Sequence, residues 1–453
     1  MPVSPARAAA FEILLRVERE QAYASELLHS ARFAKLSAAD HGLATELAMG
    51  VLRWRSWLDR LLAEVSSKTL EHLDDEVLTA LRLGAYQLRF LSRVPARAAI
   101  FESVEVVKTV RKRSAAPFVN AILRKVAGSS GAAVSRKTMP ADVFAAIEES
   151  FDPAALAPNS AHPEWLVARW AARYGMDQAR RICAYDQHPP RVSIHVYDGR
   201  CLDDVAREGI ELAPGRLLSA ARIVLSGDIT RTSAYRAARI AIQDEGSQLV
   251  GLLVGDGKKI LDCCAAPGGK TALVARRNPG ALVVASELHP HRARLFRERV
   301  RLPNVRTVAA DARKLPFARN FDRILTDVPC SGTGTLARHP EIKWRLRLED
   351  VGDLQLRQIA ILKSALAQLA REGRLVYATC SLEREENEAV VEAVLAESSK
   401  FAIVDCREEL QRLRQGSELR TEEIETLLAG TYVRTIPGVH ACDGFFSAII
   451  QRK

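Results

Sequence analysis

Near residue 241 the rhythm of this 453-residue chain changes, and the change limits the folds open to it. From there on, short apolar runs alternate with helical stretches. The runs are Lys259–Asp262, Ala281–Ser286, Val305–Val308, Arg323–Thr326 and Arg374–Tyr377, separated by helices such as 291–300 and 353–370. Runs too short for helices, each followed by a turn and a helix, predict parallel strands joined by crossovers: an α/β, doubly wound sheet. A last strand is expected at Phe445–Ile450.

Upstream the pattern differs. About the first 125 residues read as helix after helix, with apolar faces such as Phe11, Leu14 and Leu15, or Leu81, Ala85 and Leu88. Gly128-Ser129-Ser130-Gly131 and the AAVSRKTMP after it form the clearest linker. Beyond it comes a mixed pattern: helix Trp165–Tyr174, strand Val192–Tyr197 after Pro189-Pro190, helix Leu202–Glu208 and strand Arg222–Leu225. The expected organisation is a helical domain 1–127, a linker 128–149, a small α+β module 150–240 and the α/β domain 241–453. Such a length, at about 150 residues per domain, allows roughly three.

Basic residues exceed acidic ones by ten, and only 14 of the 65 are Lys, leaving 51 Arg. Arginine forks bind phosphate in bidentate fashion, so the balance fits a nucleic-acid partner; codon bias toward Arg fits it too. Arg53-Trp54-Arg55-Ser56-Trp57 interleaves aromatics with cations, as base-stacking surfaces do, but the i,i+3 spacing of the two Trp favours a core face. The basic run 108–113 reads as a solvated face. No uncharged apolar run reaches 18 residues, and Glu12 and Arg16 interrupt the N-terminal apolar stretch, so neither a membrane span nor a signal peptide is expected. The default compartment is the cytoplasm. The eight cysteines form no C-x-x-C and no Cys/His cluster with zinc spacing, so no metal is expected.

In open parallel sheets the ligand lies beyond the carboxyl ends of the strands. After the first strand stands DCCAAPGGKT, residues 262–271, a glycine turn opening a helix, where backbone N–H groups can approach a ligand. It is neither G-x-G-x-x-G nor a P-loop. Glu287 follows the second strand, about 20 residues on, where an acid usually grips ribose hydroxyls. Asp311 follows the third. Each acid alone could cap a helix, but three in order facing an adenosine and a cationic centre suit S-adenosylmethionine. The adjacent Cys263 and Cys264 read as small residues shaping the turn.

The fourth strand ends in Asp327-Val328-Pro329-Cys330-Ser331-Gly332-Thr333-Gly334 and the fifth in Thr379-Cys380-Ser381. If these strands are neighbours, two thiols and an acid meet in one cleft near the methyl donor. Such a pair suits methylation at carbon 5 of a pyrimidine, where a thiolate must first add to carbon 6 and a base must later remove a proton. The nucleophile needs an electropositive niche, for which Lys270, Arg338 and Lys343 are candidates.

These strings resemble the RNA cytosine-5 methyltransferases of the Sun/Fmu (RsmB) type. The resemblance rests on QDEGSQ at 243–248, DCCAAPGGKT, DVPCSGTGTLARHPEIKW at 327–344, ATCSLEREENE at 378–388 and DGFFSA at 443–448. The N-terminal strings GVLRWRSWLDRLL (50–62), LRLGAYQLRFLSRVPARAAIFESVEVVK (81–108) and FVNAILRKV (118–126) resemble a NusB-like RNA-binding domain. The resemblance implies a class I (Rossmann-like) methyltransferase domain behind an all-α NusB-like domain and a small α+β module. It implies that Cys380 is the nucleophile, that Cys330 helps release product, and that Asp327 contacts the cytosine edge. Cys264, Ala265, Ala266, Pro267, Gly268, Gly269, Lys270, Glu287, Asp311 and Asp327 map onto the cofactor site. Two positions depart from the family pattern: Glu287 stands where Asp is common, moving a carboxylate by one methylene, and Gly246 stands where Ala is common, loosening a helix start. The expected substrate is a loop cytosine of 16S (small-subunit) rRNA and the expected state a monomer. The competing readings are the same chemistry on tRNA and a non-catalytic RNA-binding or assembly factor.

Overall fold

The computed structural model describes residues 3–128, 141–317 and 321–453. They fall into two compact units: Met1–Pro189 with Leu336–Arg345, and Pro190–Thr335 with Leu346–Lys453.

The first unit is helical. Pro5 opens the helix Pro5–Glu20, where its fixed φ suits the first position, and Ala6, Ala10, Ile13 and Val17 face inward. The helices Ala38–Arg53 and Asp75–Phe90 meet at Gly50, where a Cβ would lie 2.0 Å from Tyr86 Cζ. Trp54 is buried and stacks on Phe90 at 5.5 Å, so the Trp54/Trp57 run serves the core. In the basic run 108–113, Lys108 pairs with Glu105 and Lys112 with Asp74. The expected linker at 128–149 lies partly outside the described residues; within it Ala141–Glu148 is a helix.

The segment 336–345 comes from the middle of the α/β sequence yet folds with these helices. Glu341 accepts the N–H of Ala24 at 3.0 Å, Trp344 Nε1 donates to Leu52 O at 2.6 Å, and the buried Lys343 Nζ donates to Arg53 O and Ala161 O at 2.9 and 3.0 Å.

The unit boundary also divides the stretch read as one α+β module. Its helices Pro153–Asn159, Glu164–Tyr174 and Met176–Gln187 belong to the first unit and its strands to the second. The break falls at Pro189-Pro190, which cannot continue a helix.

The second unit opens with a small antiparallel sheet of β1 (Ser193–Val196), β2 (Glu211–Pro214), β3 (Ala221–Ser226) and β4 (Ile240–Ile242), in the order β2-β3-β1-β4. The main sheet is built from β5 (Lys259–Asp262), β6 (Leu282–Glu287), β7 (Val305–Ala309), β8 (Phe321–Asp327) and β9 (Leu369–Thr379), then β10 (Phe401–Val404), β11 (Leu428–Ala429), β12 (Tyr432–Thr435) and β13 (Phe445–Arg452). Its order is β11-β12-β13-β9-β8-β5-β6-β7, with β10 also pairing β13. The five strands β5–β9 are parallel, as the alternation predicts. The sheet as a whole is mixed, because β13 runs antiparallel to β9 and carries β12, β11 and β10 with it. Strands of two to four residues are too short to show a period. The strand order reverses between β5 and β8, the switch point where such sheets bind ligands. Among the described residues no helix is long and apolar enough to cross a membrane.

Candidate active site

β5 delivers Asp262 into a buried place below the glycine turn. It accepts from Thr271 Oγ1 at 2.7 Å, and burial pushes its carboxyl up to about 6. Gly268 sits at φ +115°, and a Cβ there would come within 2.6 Å of Val300 Cγ2, so the turn before the helix Gly269–Arg277 requires glycine. Burial pushes the Cys263 and Cys264 thiols well above the ordinary value; they remain small, protonated residues of this turn.

Glu287 closes β6, is buried, and accepts the N–H of His289 at 3.1 Å. Asp311 follows β7, accepts the N–H of Arg313 at 2.9 Å as the cap of Ala312–Lys314, and pairs with the Arg313 side chain at 2.7 Å. That hydrogen bond holds its carboxyl below the usual range. A turn that only glycine fits, followed by acids at successive strand ends, suits a ligand with ribose hydroxyls and a cationic sulfur. S-adenosylmethionine would be held by residues 264–270, with Glu287 and Asp311 toward its adenosine end.

β8 ends in Asp327, and Lys270 Nζ donates to its Oδ2 at 2.7 Å. Burial alone would lower the pKa of Lys270, but the Asp327 charge and hydrogen bond, with Cys380 adding to them, raise it instead. Lys270 also lies 4.9 Å over the Phe445 ring. Gly246 does more than loosen a helix start: a Cβ there would meet Phe445 Cδ2 at 2.8 Å, so the glycine lets this ring approach.

β8 and β9 pair in parallel with Asp327 opposite Ala378. That register brings the two loops together, and Cys330 Sγ lies 3.3 Å from Cys380 Sγ, both half-buried thiols. The hydrogen bond to Cys380, then burial, pushes the Cys330 thiol well above its usual value. Glu386 clamps the loops from below. Its buried carboxylate accepts the N–H of Ser331 at 2.8 Å, Gln358 Nε2 at 2.9 Å, and the hydroxyls of Ser331 and Ser381. Glu386 stands within ATCSLEREENE, where no periodicity or spacing singles it out.

Of the three candidate cations for the thiol niche, Lys270 is at the rim. Lys343 is not: it is taken up by backbone carbonyls of the helical unit, and burial lowers its pKa to about 7. Arg338 belongs to the same helical-unit segment. A separate cavity of about 520 Å³, lined by His195, Tyr197, Arg276 and Glu418 among others, contains none of these site residues.

A parallel sheet with a glycine turn at its switch point, acids at the following strand ends and an antiparallel β13 defines an S-adenosylmethionine-dependent methyltransferase. A model of the 16S rRNA methyltransferase RsmB/F family matches residues 250–451, and one of the NusB family matches residues 4–128. A Bacillus subtilis (strain 168) protein named "Probable ribosomal RNA small subunit methyltransferase B" is 34% identical, with all of both chains covered. The ribosomal RNA small subunit methyltransferase B of Pseudomonas syringae pv. tomato is 35% identical over 81% of each chain. Among solved structures, PH0851 superposes with a TM-score of 0.78 at 20% identity over 99% of each chain. NSun6 from Pyrococcus horikoshii superposes at 0.54 and 18% identity, over 64% of this chain and 98% of that one. Likenesses this distant in sequence show the fold. The chain therefore belongs to the RsmB/F family, S-adenosylmethionine-dependent cytosine-C5 methyltransferases of ribosomal RNA, with a NusB-family domain at its N-terminus.

Proposed function

We propose that this enzyme methylates carbon 5 of one loop cytosine in 16S (small-subunit) rRNA, in the cytoplasm, through a covalent bond from Cys380 to carbon 6 of the base. The observation that carries the reading is the approach of Cys330 and Cys380 to 3.3 Å beside the Lys270–Asp327 pair.

Carbon 5 of cytosine is a poor nucleophile. Addition of the Cys380 thiolate to carbon 6 moves ring electrons toward N3 and makes carbon 5 enamine-like. Asp327, held in direction by Lys270, meets the ring edge by accepting from the exocyclic amino group, and the Lys270 ammonium beside it offsets the negative charge that builds toward N3. S-adenosylmethionine, when bound, supplies an electrophilic methyl group. Product release then needs the proton of carbon 5 removed and the sulfur–carbon bond broken. Cys330 takes that proton, the electron pair re-forms the ring double bond, and Cys380 leaves as thiolate.

The two sulfurs divide these tasks. Before attack Cys330 is protonated, and the largest cause is Cys380 itself. Once Cys380 is bonded to carbon, that cause is gone, and Cys330 loses its proton to water more readily at the step that needs a base. The target base must leave its stack to reach the cleft, which favours a loop cytosine. The NusB-family domain would dock the RNA by shape and phosphate contacts.

The test is incubation with unmodified small-subunit rRNA and methyl-labelled S-adenosylmethionine, followed by nuclease digestion and mass spectrometry. Label on carbon 5 of one loop cytosine is the expected result. Label appearing only on tRNA, or none at all while the cofactor binds, overturns the rRNA assignment.

A further inference from the structure

The helix Pro290–Arg299 follows Glu287 and buries Ala293 and Phe296. Phe296 packs with Ala265 and Ala285, and a Cβ on Gly268 would lie 3.1 Å from its ring. The helix is therefore seated on the cofactor turn. Its remaining surface is cationic. Between His289 and Arg301 stand five arginines, no lysine and a single carboxylate, Glu298, and all five arginines are exposed.

The abundance of arginine in the chain does not account for this face. On the helix Cys406–Gln415 arginines are matched by acids: Arg412 pairs with Glu409 and Arg407 with Glu425. Among the described residues, the side chains of Arg294, Arg297 and Arg299 make no hydrogen bond or ion pair, and Arg292 reaches Glu287 only at 3.8 Å. Arg294 and Arg297 are i,i+3 neighbours, and like charges at that spacing repel and weaken a helix. A polyanion reverses that penalty. Arginine, with its planar fork, suits phosphate oxygens better than a point charge does.

We propose that this arginine face docks the phosphate backbone of the RNA substrate, a proposal that rests on the enzyme's acting on RNA. Charge complementarity selects the backbone, because exposed guanidinium groups that make no ion pair read charge and spacing.

The experiment compares full-length wild type with an Arg294→Gln/Arg297→Gln/Arg299→Gln variant and with the corresponding triple Lys variant. RNA binding is titrated across salt concentrations, and turnover is measured alongside. Loss of three phosphate contacts should flatten the slope of log affinity against log salt by about 2 to 3 and raise the KM for RNA by about tenfold or more. The kcat at saturating RNA and the cofactor affinity should hold, and the Lys variant should recover most of the slope. An unchanged slope overturns the proposal, as does a weakening that is independent of salt, which would point to a protein partner or a structural role for the face. The slope is read from binding alone. Failure of wild type to methylate rRNA would therefore count against the functional assignment and leave this comparison intact.

Discussion

Glu386 accepts the backbone N–H of Ser331 at 2.8 Å, tying the residue after Cys330 to a turn that lies beyond Cys380 in the chain. The same carboxylate receives the Ser381 hydroxyl, so each thiol has its next neighbour fastened to one buried group. The sulfur–sulfur distance is thereby set by a third residue that need not touch substrate.

Replacing Glu386 with Ala would strand several buried donors at once. The expected cost is about 3 kcal/mol or more of stability, with a lower kcat. Urea unfolding and turnover, measured on the same preparation, check this; wild-type values for both would refute the clamp.

Cys380→Ala should abolish methyl transfer while leaving S-adenosylmethionine binding intact. Label transfer against calorimetric cofactor titration separates the two. Residual full activity would remove Cys380 from the nucleophile's role.

Cys330→Ala should form the bond to carbon 6 but release product slowly, giving a covalent protein–RNA band on a denaturing gel. Free RNA alone, under conditions where wild type turns over, would count against its role as the base. A companion measurement uses the direction of its titration. Because Cys380 is the largest cause of the raised Cys330 pKa, Cys330 should ionise at lower pH in Cys380→Ala than in wild type. Its alkylation rate near pH 8, followed by peptide mass spectrometry, should rise in that variant.

Asp262 gives the protein a pH-dependent stability. Its folded pKa of about 6 lies above the ordinary 3.8, so folding favours the protonated form. Stability is undiminished below about pH 4, falls as the pH rises toward 6, and is flat above that. Asp262→Asn, which keeps an oxygen for Thr271, should be more stable than wild type at pH 8 by about 2–3 kcal/mol, with the difference vanishing near pH 4. Denaturant midpoints at the two pH values, without cofactor, test it; an equal gain at both would show that burial of charge is not the cause.

Much of the fold was legible because its signals are local. Alternation of short apolar runs with helices announces β5 to β9, and the rule that ligands gather at strand ends singles out Asp327, Cys330 and Cys380. The spacing of Trp54 and Trp57 announces a core face, and Trp54 is buried there. Less legible were the strands of two to four residues, β10 to β12, which owe their existence to pairing (β10 and β12 with β13, β11 with β12) rather than to a period of their own.

The sequence by itself determined which residue types stand at the rim, since hydrophobic period and turn chemistry act over a few neighbouring residues. Tertiary structure decided their relations. The parallel register of β8 on β9 set the approach of the sulfurs across 50 residues. Packing turned Glu386 inward as a clamp, and it gave the Asp327 partnership to Lys270 while carrying Lys343 into the helical unit. A charged side chain's partner is chosen by burial and by which carbonyls or carboxylates arrive beside it, and that depends on segments hundreds of residues away.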